Sequence, residues 1–371
     1  MVFGAAMLRE VNLMLILGGM LFGPLLFNWR LAVATLRGLE VRRTIPRGIC
    51  AGDLLVVQLE LANTRRGLGS WAVSVRERIR REGNSSAGNA DVTEHFLYIP
   101  AGGAAVRTYR GQLSQRGLYR WEPIRASTGF PFGLFRRDVL LGNGDTLTVF
   151  PRLGRLTQGW IRRRHESFEG AHRRERRHSR VSGDFYGVRE WRHGDSRRWI
   201  HWRSTARHGT LVVRQFEQHR NRDVAVLLDL WQPDEPSAEQ RENVELAVSF
   251  TATVVADVCR RLGSKVLLGI AAPEPEFVGG AGSMVLLEDF MGRLALVEAA
   301  GGDRLPQLLD EALRRVDPGT EVVIVSTRDV HLEDARRFAA LWSDPQRRAW
   351  ARQIRVVTTA PSDLDRYFQA D

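Results

Sequence analysis

The chain has 371 residues, of which 43% are hydrophobic and 26% charged, and this composition excludes a wholly disordered protein. Its length predicts two or three folded units, and its two cysteines, Cys50 and Cys259, exclude a disulfide scaffold and a thiolate zinc site. The formal net charge is +11, and most of it lies in residues 162–222, which contain 17 arginines against seven acidic residues.

An uncharged apolar segment lies near the N-terminus. Val11–Phe27 is 17 residues long. As a helix it would span about 25 Å, slightly less than the ~30 Å hydrocarbon core of a bilayer. Trp29 and Arg30 follow it, as residues at a membrane interface would. We therefore expect residues 1–38 to form a membrane anchor. The apolar run Met1–Leu8 resembles the end of an earlier helix, so we also expect a further membrane helix upstream.

Basic residues are more frequent after the apolar segment than before it. Arg9 is the only one that precedes it, and five follow closely: Arg30, Arg37, Arg42, Arg43 and Arg47. The positive-inside rule then predicts that the soluble domains face the cytoplasm. Two alternatives stay open, a buried core helix and a secretory signal that ends at Ala32-Val33-Ala34.

Residues 39–151 have the pattern of an all-β, sandwich-like domain. Leu54–Leu61 alternates only partly between apolar and polar residues, Trp71–Ile79 alternates better, and turn-forming residues separate the two runs. Short strands at this spacing favour two packed sheets. Residues 152–182, which follow, are polar and arginine-rich, and this composition is typical of a linker or arm.

From residue 222 onward, strand and helix patterns alternate. The predicted strands are Val224–Leu228, Val266–Ile270, Glu321–Val325 and Ile354–Val357. The predicted helices are Ser237–Leu262, Leu305–Val316 and His331–Trp342. Such alternation predicts a parallel, doubly wound α/β domain over residues 222–371, which makes the whole chain an α+β multidomain protein. Because no glycine fingerprint or phosphate loop follows the first strand, nucleotide binding is not predicted.

Residues 183–221 interleave aromatic, arginine and acidic side chains. A guanidinium group can bond a carboxylate and stack on an indole ring, so pairs such as Asp195 with Arg198 or Arg207 could order the segment. The segment resembles the signature G-x-[DE]-F-x-x-x-R-x-[YW]-x-x-G-D-x-x-R-x-I-x-W-x-x-x-A-R of the domain of unknown function 58 family. The residues that carry the resemblance, and that we predict to contact a partner, are Gly183, Phe185, Arg189, Trp191, Gly194, Asp195, Arg198, Ile200, Trp202, Ala206 and Arg207.

A second part of the sequence is similar to the end of that family's β domain. It comprises Arg116–Tyr119, Pro131–Phe135 and Val149–Pro151, although Phe130 stands where the family usually has aspartate. The resemblance implies a bacterial protein of the inner membrane, with two N-terminal membrane helices, a β domain and a von Willebrand factor A-like domain. It also implies a MoxR-type AAA ATPase as partner, a role in assembly or maturation of other proteins, and no established enzymatic activity.

A von Willebrand factor A domain often binds Mg²⁺ through Asp-x-Ser-x-Ser after its first strand, and this chain departs from that pattern. Asp229 is retained, but Trp231 and Pro233 replace the two serines. The resemblance places Asp303 and Asp329 at the other ligand positions. Because Mg²⁺ requires nearly ideal octahedral oxygen geometry, we expect a degenerate site without a cofactor, in which Asp229 caps a loop or pairs with arginine.

Catalysis and nucleic-acid binding are the competing hypotheses. His201 and Asp195 could act as a general base and its orienting partner, but no serine or cysteine nucleophile lies in a recognised setting. The arginines of 162–222, together with neighbouring tryptophans, suit nucleic acid, anionic lipid or an acidic protein surface. We favour a non-enzymatic, membrane-anchored interaction protein without a small-molecule substrate. A nucleic-acid binder and a metal-dependent enzyme, such as a hydrolase, are the alternatives.

Overall fold

The computed structural model describes residues 2–83, 88–160, 162, 184–193, 195–217, 223–261, 263–317, 320–343, 347–348, 351 and 354–370. The chain divides into two compact units. The first consists of Met1–Arg152 with Met291–Val297, and the second of Leu153–Phe290 with Glu298–Asp371. Most of the arginine-rich segment 152–182 lies outside the described residues, as do Gly183 and Gly194 of the signature.

The first element is one continuous helix, α1 (Val2–Leu36). The expectation that a separate helix ends at Leu8 is therefore wrong, because Arg9 and Glu10 are residues with good helix propensity and do not interrupt α1. Between Met14 and Phe27 nearly every side chain is exposed. From Asn28 onward, one face of α1 is buried against strands of the first unit.

In the described part of the first unit, ten strands follow: β1 (Leu39–Thr44), β2 (Gly48–Cys50), β3 (Leu54–Asn63), β4 (Ser70–Arg81), β5 (Ala90–Ile99), β6 (Ala104–Gln112), β7 (Gly117–Trp121), β8 (Ile124–Thr128), β9 (Arg137–Leu141) and β10 (Thr146–Phe150). One antiparallel sheet has the order β1–β3–β6. The other has the order β2–β10–β7–β4–β8–β9, and β5 also pairs with β4.

The two sheets share one hydrophobic core. In β3, Leu55, Val57, Leu59 and Leu61 are buried, whereas the residues between them are exposed or half-buried. The same cluster includes apolar residues of β4 and the fully buried Trp121 of β7. The alternation that predicted strands at 54–61 and 71–79 is therefore the alternation between core and outer sites of two facing sheets.

Beyond Arg152, the strands are β11 (Arg155–Leu156), β12 (Asp184–Glu190), β13 (Val212–Glu217), β14 (Val224–Asp229), β15 (Lys265–Ile270), β16 (Glu276–Ala281), β17 (Glu321–Ser326), β18 (Arg355–Thr358) and β19 (Phe368–Gln369). The helices are α2 (Trp202–His208), α3 (Ala238–Arg260), α4 (Met284–Leu296), α5 (Leu305–Arg315), α6 (Ala339–Ser343) and α7 (Pro361–Leu364), and Arg197–Trp199 is a 3₁₀ turn.

A five-stranded sheet with the order β16–β15–β14–β17–β18 organises the second unit. β14 is buried along its whole length and runs parallel to β15 and β17. Ala225 and Leu227 of β14 pack against apolar residues of α5. Because side chains of a strand alternate between faces, Val226 and Leu228 point to the opposite face, and α3 also contacts β14. The four predicted strands of this region are all present.

One strand of this sheet breaks the predicted parallel arrangement. β16 pairs antiparallel with β15, with Ile270 opposite Glu276. Only residues 271–275 connect the two strands, whereas a parallel crossover needs a dozen residues or more. The sheet is therefore mixed, with its antiparallel strand at one edge.

The predicted helices differ in how well they agree with the structure. α3 begins after Ser237, whose side chain accepts a hydrogen bond from the Gln240 backbone N–H in a capping box. The helix predicted over His331–Trp342 is wrong, because the α-helix there is only Ala339–Ser343. Upstream of it, the Asp334 carboxylate accepts hydrogen bonds from the backbone N–H groups of Arg336 and Arg337, as an N-cap residue does, so helical structure begins only after Asp334 and not at His331.

The prediction that 152–182 is only a linker is wrong for its first residues. Arg155 and Leu156 form β11, which pairs antiparallel with β19 near the C-terminus. The indole of Trp160 is buried and meets the ring of Phe250 edge-on at 5.4 Å. This short stretch is part of the second unit, because a buried tryptophan anchors it to α3.

Candidate docking site

The signature residues form an antiparallel hairpin. β12 and β13 pair from Asp184 opposite Glu217 to Glu190 opposite Val212, with a register shift between Phe185 and Gly187. The connection between the strands contains the 3₁₀ turn and α2, and an isolated bridge joins Ile200 to Val213. The hairpin thus returns the chain upon itself within about 30 residues, and short-range pairs can hold it together.

Arg189 and Asp195 form the central ion pair of this hairpin. The two terminal nitrogens of Arg189 donate to the two carboxylate oxygens of Asp195 at 2.7 and 2.8 Å. The backbone N–H of Arg192 donates to the same carboxylate at 2.8 Å. These hydrogen bonds, that of Arg189 first, lower the pKa of Asp195 to about 2. The predicted partners of Asp195, Arg198 and Arg207, are exposed, and the pairing predicted for them is wrong.

His201 has a structural place at the start of α2. Its Nδ1 accepts a hydrogen bond from the Ser204 backbone N–H at 3.3 Å and lies 2.7 Å from the Ser204 hydroxyl. Gly209, in the left-handed conformation with φ of 71°, ends the helix. The geometry assigns His201 to helix capping, whereas sequence reasoning had paired it with Asp195 as a general base.

The signature residues therefore separate into two groups. One group builds the hairpin: Phe185 lies in β12, Arg189 holds Asp195, and Ile200 is buried. The other group is exposed to solvent and consists of Arg198, Trp202, Ala206 and Arg207. Trp202 is 68% exposed, which is unusual for a large aromatic side chain and makes this group the part of the signature that is open to a partner.

A second candidate site lies where β14 and β17 end. Asp229 at the end of β14 is buried, and its carboxylate accepts a hydrogen bond from the Ser326 hydroxyl at 3.0 Å. Arg328, just beyond β17, points its Nε to the same carboxylate at 3.4 Å. Because β14 and β17 are parallel neighbours, with Asp229 opposite Ser326, the sheet itself brings these residues together.

Arginines link this aspartate to Asp303. Arg328 also donates from Nη2 to the Asp303 carboxylate, and Arg337 donates to it from Nε at 2.8 Å and from Nη2 at 3.0 Å. The guanidinium carbon of Arg328 lies 5.5 Å from the centre of the Trp231 ring. Asp229, Arg328, Asp303 and Arg337, which we call the arginine–aspartate cluster, thus form one chain of ion pairs.

The cluster also sets the charges of its carboxylates. Burial raises the pKa of Asp229, and the charge of Arg328 and its hydrogen bonds act against that rise. Partial burial acts to raise the pKa of Asp303, but the hydrogen bonds and charges of Arg337 and Arg328 outweigh it, and the pKa of that carboxyl is lowered. Both groups already have a guanidinium partner, so their negative charge is compensated inside the protein.

The predicted metal-site residues fit Mg²⁺ poorly. Arg328 binds both Asp229 and Asp303, whereas Asp329 is exposed and does not join them. Among the described residues, no three His, Cys, Asp or Glu side chains are arranged to hold a metal ion. A guanidinium beside the carboxylates would repel a divalent cation, and Trp231 and Pro233 supply no side-chain oxygen for it.

Comparison with known proteins bears on the hairpin and on β14. Residues 187–278 match the family model described as "Protein of unknown function DUF58". Residues 187–278 therefore belong to the DUF58 family. The DUF58 stretch includes most of the signature, together with β14, Asp229, α3 and β15. It ends before Asp303, Arg328 and Arg337, so of the four residues of the arginine–aspartate cluster the family match covers only Asp229.

A curated relative is the "Uncharacterized protein YeaD" of Bacillus subtilis (strain 168). It is 27% identical over 146 residues, which is 39% of this chain and 34% of that protein. The match therefore spans about a third of the length of that relative.

Two solved structures are similar over short stretches. The CARDB domain of the PF1109 protein from Pyrococcus furiosus is 18% identical, with 30% of this chain and 91% of that chain covered and a TM-score of 0.19. A β-glucosidase from Listeria innocua is 14% identical, with 28% and 16% covered and a TM-score of 0.20. TM-scores this low do not indicate a shared overall fold.

Sequence reasoning missed the arginines of the cluster. Arg328 and Arg337 were not among the candidate residues, although Arg328 directly follows the Ser326-Thr327 pair at the end of a buried strand. That position was the available signal, since the carboxyl ends of adjacent parallel strands meet at one edge of a sheet. A basic residue there, beside two retained carboxylates, suggests an internal ion pair in place of a metal.

Proposed function

We propose that this DUF58 protein is a non-enzymatic, membrane-anchored interaction protein. In this proposal its soluble units lie in the cytoplasm at the inner membrane of a bacterium, and its second unit docks a MoxR-type AAA ATPase. The observation that supports it most is the exposed apolar surface of α1, since a soluble protein seldom leaves such a surface uncovered.

The apolar surface of α1 is long enough for a membrane. Within the described residues, α1 is the one helix with the length and composition to cross a bilayer, over Met14–Leu36 with a mean hydropathy of 1.4. A buried core helix would conceal its side chains, but those of Met14–Phe27 are almost all exposed. At 1.5 Å per residue, the part of α1 that precedes the buried Asn28, residues 2–27, extends about 39 Å, more than the ~30 Å hydrocarbon core.

The charges that follow the apolar segment Val11–Phe27 support the proposed orientation. Four of the five arginines that follow the apolar segment are exposed: Arg30, Arg37, Arg42 and Arg47. The side chain of Arg43 is buried in an ion pair with Glu77 and cannot face lipid. Four exposed arginines close to one end of the apolar segment favour retention of that end in the cytoplasm. The anionic cytoplasmic leaflet would add to this preference.

The carboxyl ends of the central strands are the proposed docking face. In doubly wound sheets, partners and ligands bind at this edge, where the strand order reverses about the first strand. β14, the first strand of this sheet, lies at its centre, as it would in a von Willebrand factor A-like domain. In the arginine–aspartate cluster, arginines already neutralise the negative charge of the carboxylates. Such a cluster suits contact with a protein better than metal-dependent catalysis. The ATPase is named by family resemblance.

Co-purification of the full-length protein from bacterial membranes tests the proposal. The tagged chain should remain in membranes after an alkaline wash, dissolve in detergent, and bring a MoxR-type ATPase with it in the presence of nucleotide. Asp329→Arg, at the exposed carboxyl-end edge, should weaken recovery of the ATPase. Asp317→Arg is the matched control, since Asp317 is exposed at the amino-terminal side of β17. Recovery of the full-length protein from the soluble fraction, or no ATPase under either condition, would contradict the proposal.

A second candidate function is contact with an anionic surface, either nucleic acid or lipid. The observation that favours it is the exposed Trp202 together with Arg198, Arg203 and Arg207, which are also exposed. Stacking and phosphate contact would both be available to such a group. Binding of the detergent-solubilised chain to DNA and to anionic vesicles, measured across a salt series, separates the two. An affinity that disappears at physiological salt in both arms rules out this candidate.

A further inference from the structure

A loop of the first unit lies directly against the end of the exposed apolar part of α1. The loop, residues 129–135, follows β8 and reads Gly-Phe-Pro-Phe-Gly-Leu-Phe. Asn28 is buried, the first such residue of α1 from Met14 onward, and it fastens the loop: its Nδ2 donates to the Phe130 carbonyl at 3.3 Å. Its Oδ1 accepts from the backbone N–H of Phe132 at 3.3 Å and from that of Leu134 at 3.2 Å. The loop and the helix therefore form one rigid corner.

The outward side of this corner is apolar. Phe132, Leu134 and Phe135 are all exposed, and they are close to one another in a single turn of chain. The ring of Phe132 lies 6.4 Å from that of Phe27, the last exposed apolar residue before Asn28. The apolar surface of α1 thus continues without interruption onto the loop.

The loop has a firm support on its inner side. The ring of Phe130 stacks on that of Trp71 at 5.9 Å, and Trp71 in turn contacts Tyr98 at 4.2 Å. The hydroxyl of Thr128 also donates to the carbonyl of Trp71 at 3.1 Å. Because these contacts hold the backbone of the loop in place, the fold itself keeps the phenylalanine and leucine side chains exposed.

Basic residues border the apolar side chains. Arg136 and Arg137 follow Phe135 directly, and Arg30 follows the exposed Trp29 on α1; all three arginines are exposed. An aromatic and aliphatic tip with arginines beside it is the composition of elements that enter the boundary between headgroups and acyl chains. The arginines would lie among anionic headgroups while their neighbours enter the apolar layer.

We infer that the loop Phe132–Phe135 is a second membrane contact, which inserts into the lipid interface beside α1. This inference rests on the membrane anchoring proposed above. Its occupant is the bilayer and not a protein, because the apolar surface is continuous with that of α1 and has arginines at its edge. A contact of this kind would reach about 5–10 Å into the interface. It would hold the first unit at a fixed orientation on the bilayer, instead of leaving it on a tether.

The test uses full-length protein in nanodiscs of phosphatidylcholine and phosphatidylglycerol, with a polarity-sensitive fluorophore on a single introduced cysteine. Cys50→Ser and Cys259→Ser remove the native thiols. Leu134→Cys probes the loop, and Leu17→Cys probes the anchor.

Leu54→Cys is the matched control, because Leu54 is 56% exposed and Leu134 is 52% exposed. Leu54 is at the opposite end of β3 from α1. The near end of β3 is Asn63, and the N–H of the next residue, Thr64, donates to the carbonyl of Gly38, just after α1. The separation along β3 is about 30 Å.

Spin-labelled lipids then report contact with the bilayer. We expect a quencher near the headgroup to quench the label at Leu134 several-fold more than the label at Leu54, and a quencher near the chain end to act mainly on Leu17. Phe135→Cys should behave as Leu134→Cys does. Quenching at Leu17 without quenching at Leu134 or Phe135 would overturn the inference and leave the anchor intact. No quenching at Leu17 would overturn both. A blue shift at Leu134 that grows with protein copies per disc, without quenching, would assign the loop to a second copy of the chain and overturn the inference.

Discussion

Arg189 donates two hydrogen bonds to the carboxylate of Asp195, six residues further along, and so closes the signature hairpin with a bidentate ion pair. The backbone N–H of Arg192 completes the set of donors to the same carboxylate. The pair is local, which explains how a segment this rich in arginine can adopt one conformation between Asp184 and Glu217.

Asp195→Asn should loosen the hairpin without unfolding the protein. The amide keeps the size of the side chain but removes the charge and one of the two acceptor oxygens, so backbone amides of β12 and β13 should exchange hydrogen several-fold faster. Hydrogen exchange with mass spectrometry measures this. Arg207→Gln is the control, because Arg207 is exposed. Equal exchange in wild type and Asp195→Asn would contradict the role of the pair.

The same ion pair predicts a pH dependence. The pKa of Asp195 is lowered in the folded state, from 3.8 to about 2. A lowered carboxyl pKa contributes stability that is complete above the unfolded pKa and is lost as pH falls through the folded one. Protection of the hairpin should therefore decline between pH 4 and pH 2, and in Asp195→Asn this decline should be absent. A decline of equal size in the variant would assign it to other carboxyl groups.

Arg328→Gln should destabilise the second unit. The change leaves the buried Asp229 without its cation, and loss of one partner of a buried pair typically costs about 3 kcal/mol or more in the free energy of unfolding. Arg337→Gln is the control, because Arg337 contacts only the more exposed Asp303 of the two carboxylates and should cost less than about 1 kcal/mol. Denaturant unfolding in detergent measures both.

The cost of Arg328→Gln should also depend on pH. Burial raises the pKa of Asp229, so its contribution to stability is greatest below the unfolded pKa and falls as pH rises through the folded one. Removal of Arg328 raises this pKa further, which means that the deficit of the variant should shrink as the solution becomes more acidic. A deficit that is constant from neutral to acidic pH would contradict the proposed coupling.

Mg²⁺ should not bind at Asp229. The two carboxylates that could bind it are already paired with Arg328, so calorimetric titration of the full-length protein should give no saturable heat, and the melting temperature should stay unchanged. Asp229→Asn serves as the reference. A saturable heat that disappears in this variant would show that the arginine–aspartate cluster admits a cation after all.

Glu77→Ala should strongly destabilise the first unit. Glu77 and Arg43 are both buried, with Arg43 Nε 2.6 Å from Glu77 Oε1, and removal of the carboxylate should cost about 3 kcal/mol. The bond from Arg43 to Asp145 limits the loss. Asp91→Ala, which removes the exposed partner of Arg80, should cost less than about 1 kcal/mol. Similar effects of the two changes on unfolding would contradict this ranking.

Asn28→Ala should release the loop of residues 129–135. Four backbone groups of the loop lose a hydrogen bond to Asn28, and a buried unsatisfied group costs about 1–3 kcal/mol. Trypsin should then cleave faster after Arg136 and Arg137 in detergent-solubilised protein. Asn89→Ala, at an exposed asparagine that accepts a bond from the Arg81 backbone N–H, should leave cleavage there unchanged.

Features with a local cause were predictable from the sequence. The apolar run of α1, the buried strand β14 and the start of α3 all follow from neighbouring residues, since Ser237 and Gln240 form their capping box within one turn. The antiparallel course of β16 and the late start of the helix after His331 were not predicted, although the short connection before β16 and the capping Asp334 account for them. Both causes, a connection of five residues and an aspartate, can be read from the sequence.

The partners of the charged residues were the harder part. Asp229 and Asp303 were among the residues considered as degenerate metal ligands, but the residue that joins them, Arg328, was not considered. Asp229 and Arg328 are 99 positions apart, and only the parallel pairing of β14 with β17 brings them together. For Asp195, several arginines lie within reach in sequence, and the register of the hairpin selects Arg189.

By itself, the order of residues determined where the chain is apolar, where apolar and polar residues alternate, and where positive charge is concentrated. These depend on composition and on the fixed periods of helix and strand, which act over a few residues. The tertiary structure alone decided which guanidinium faces which carboxylate and which phenylalanines stay in solvent beside Asn28. Long flexible side chains can reach many partners, and the choice depends on distances that are set only when distant strands are paired.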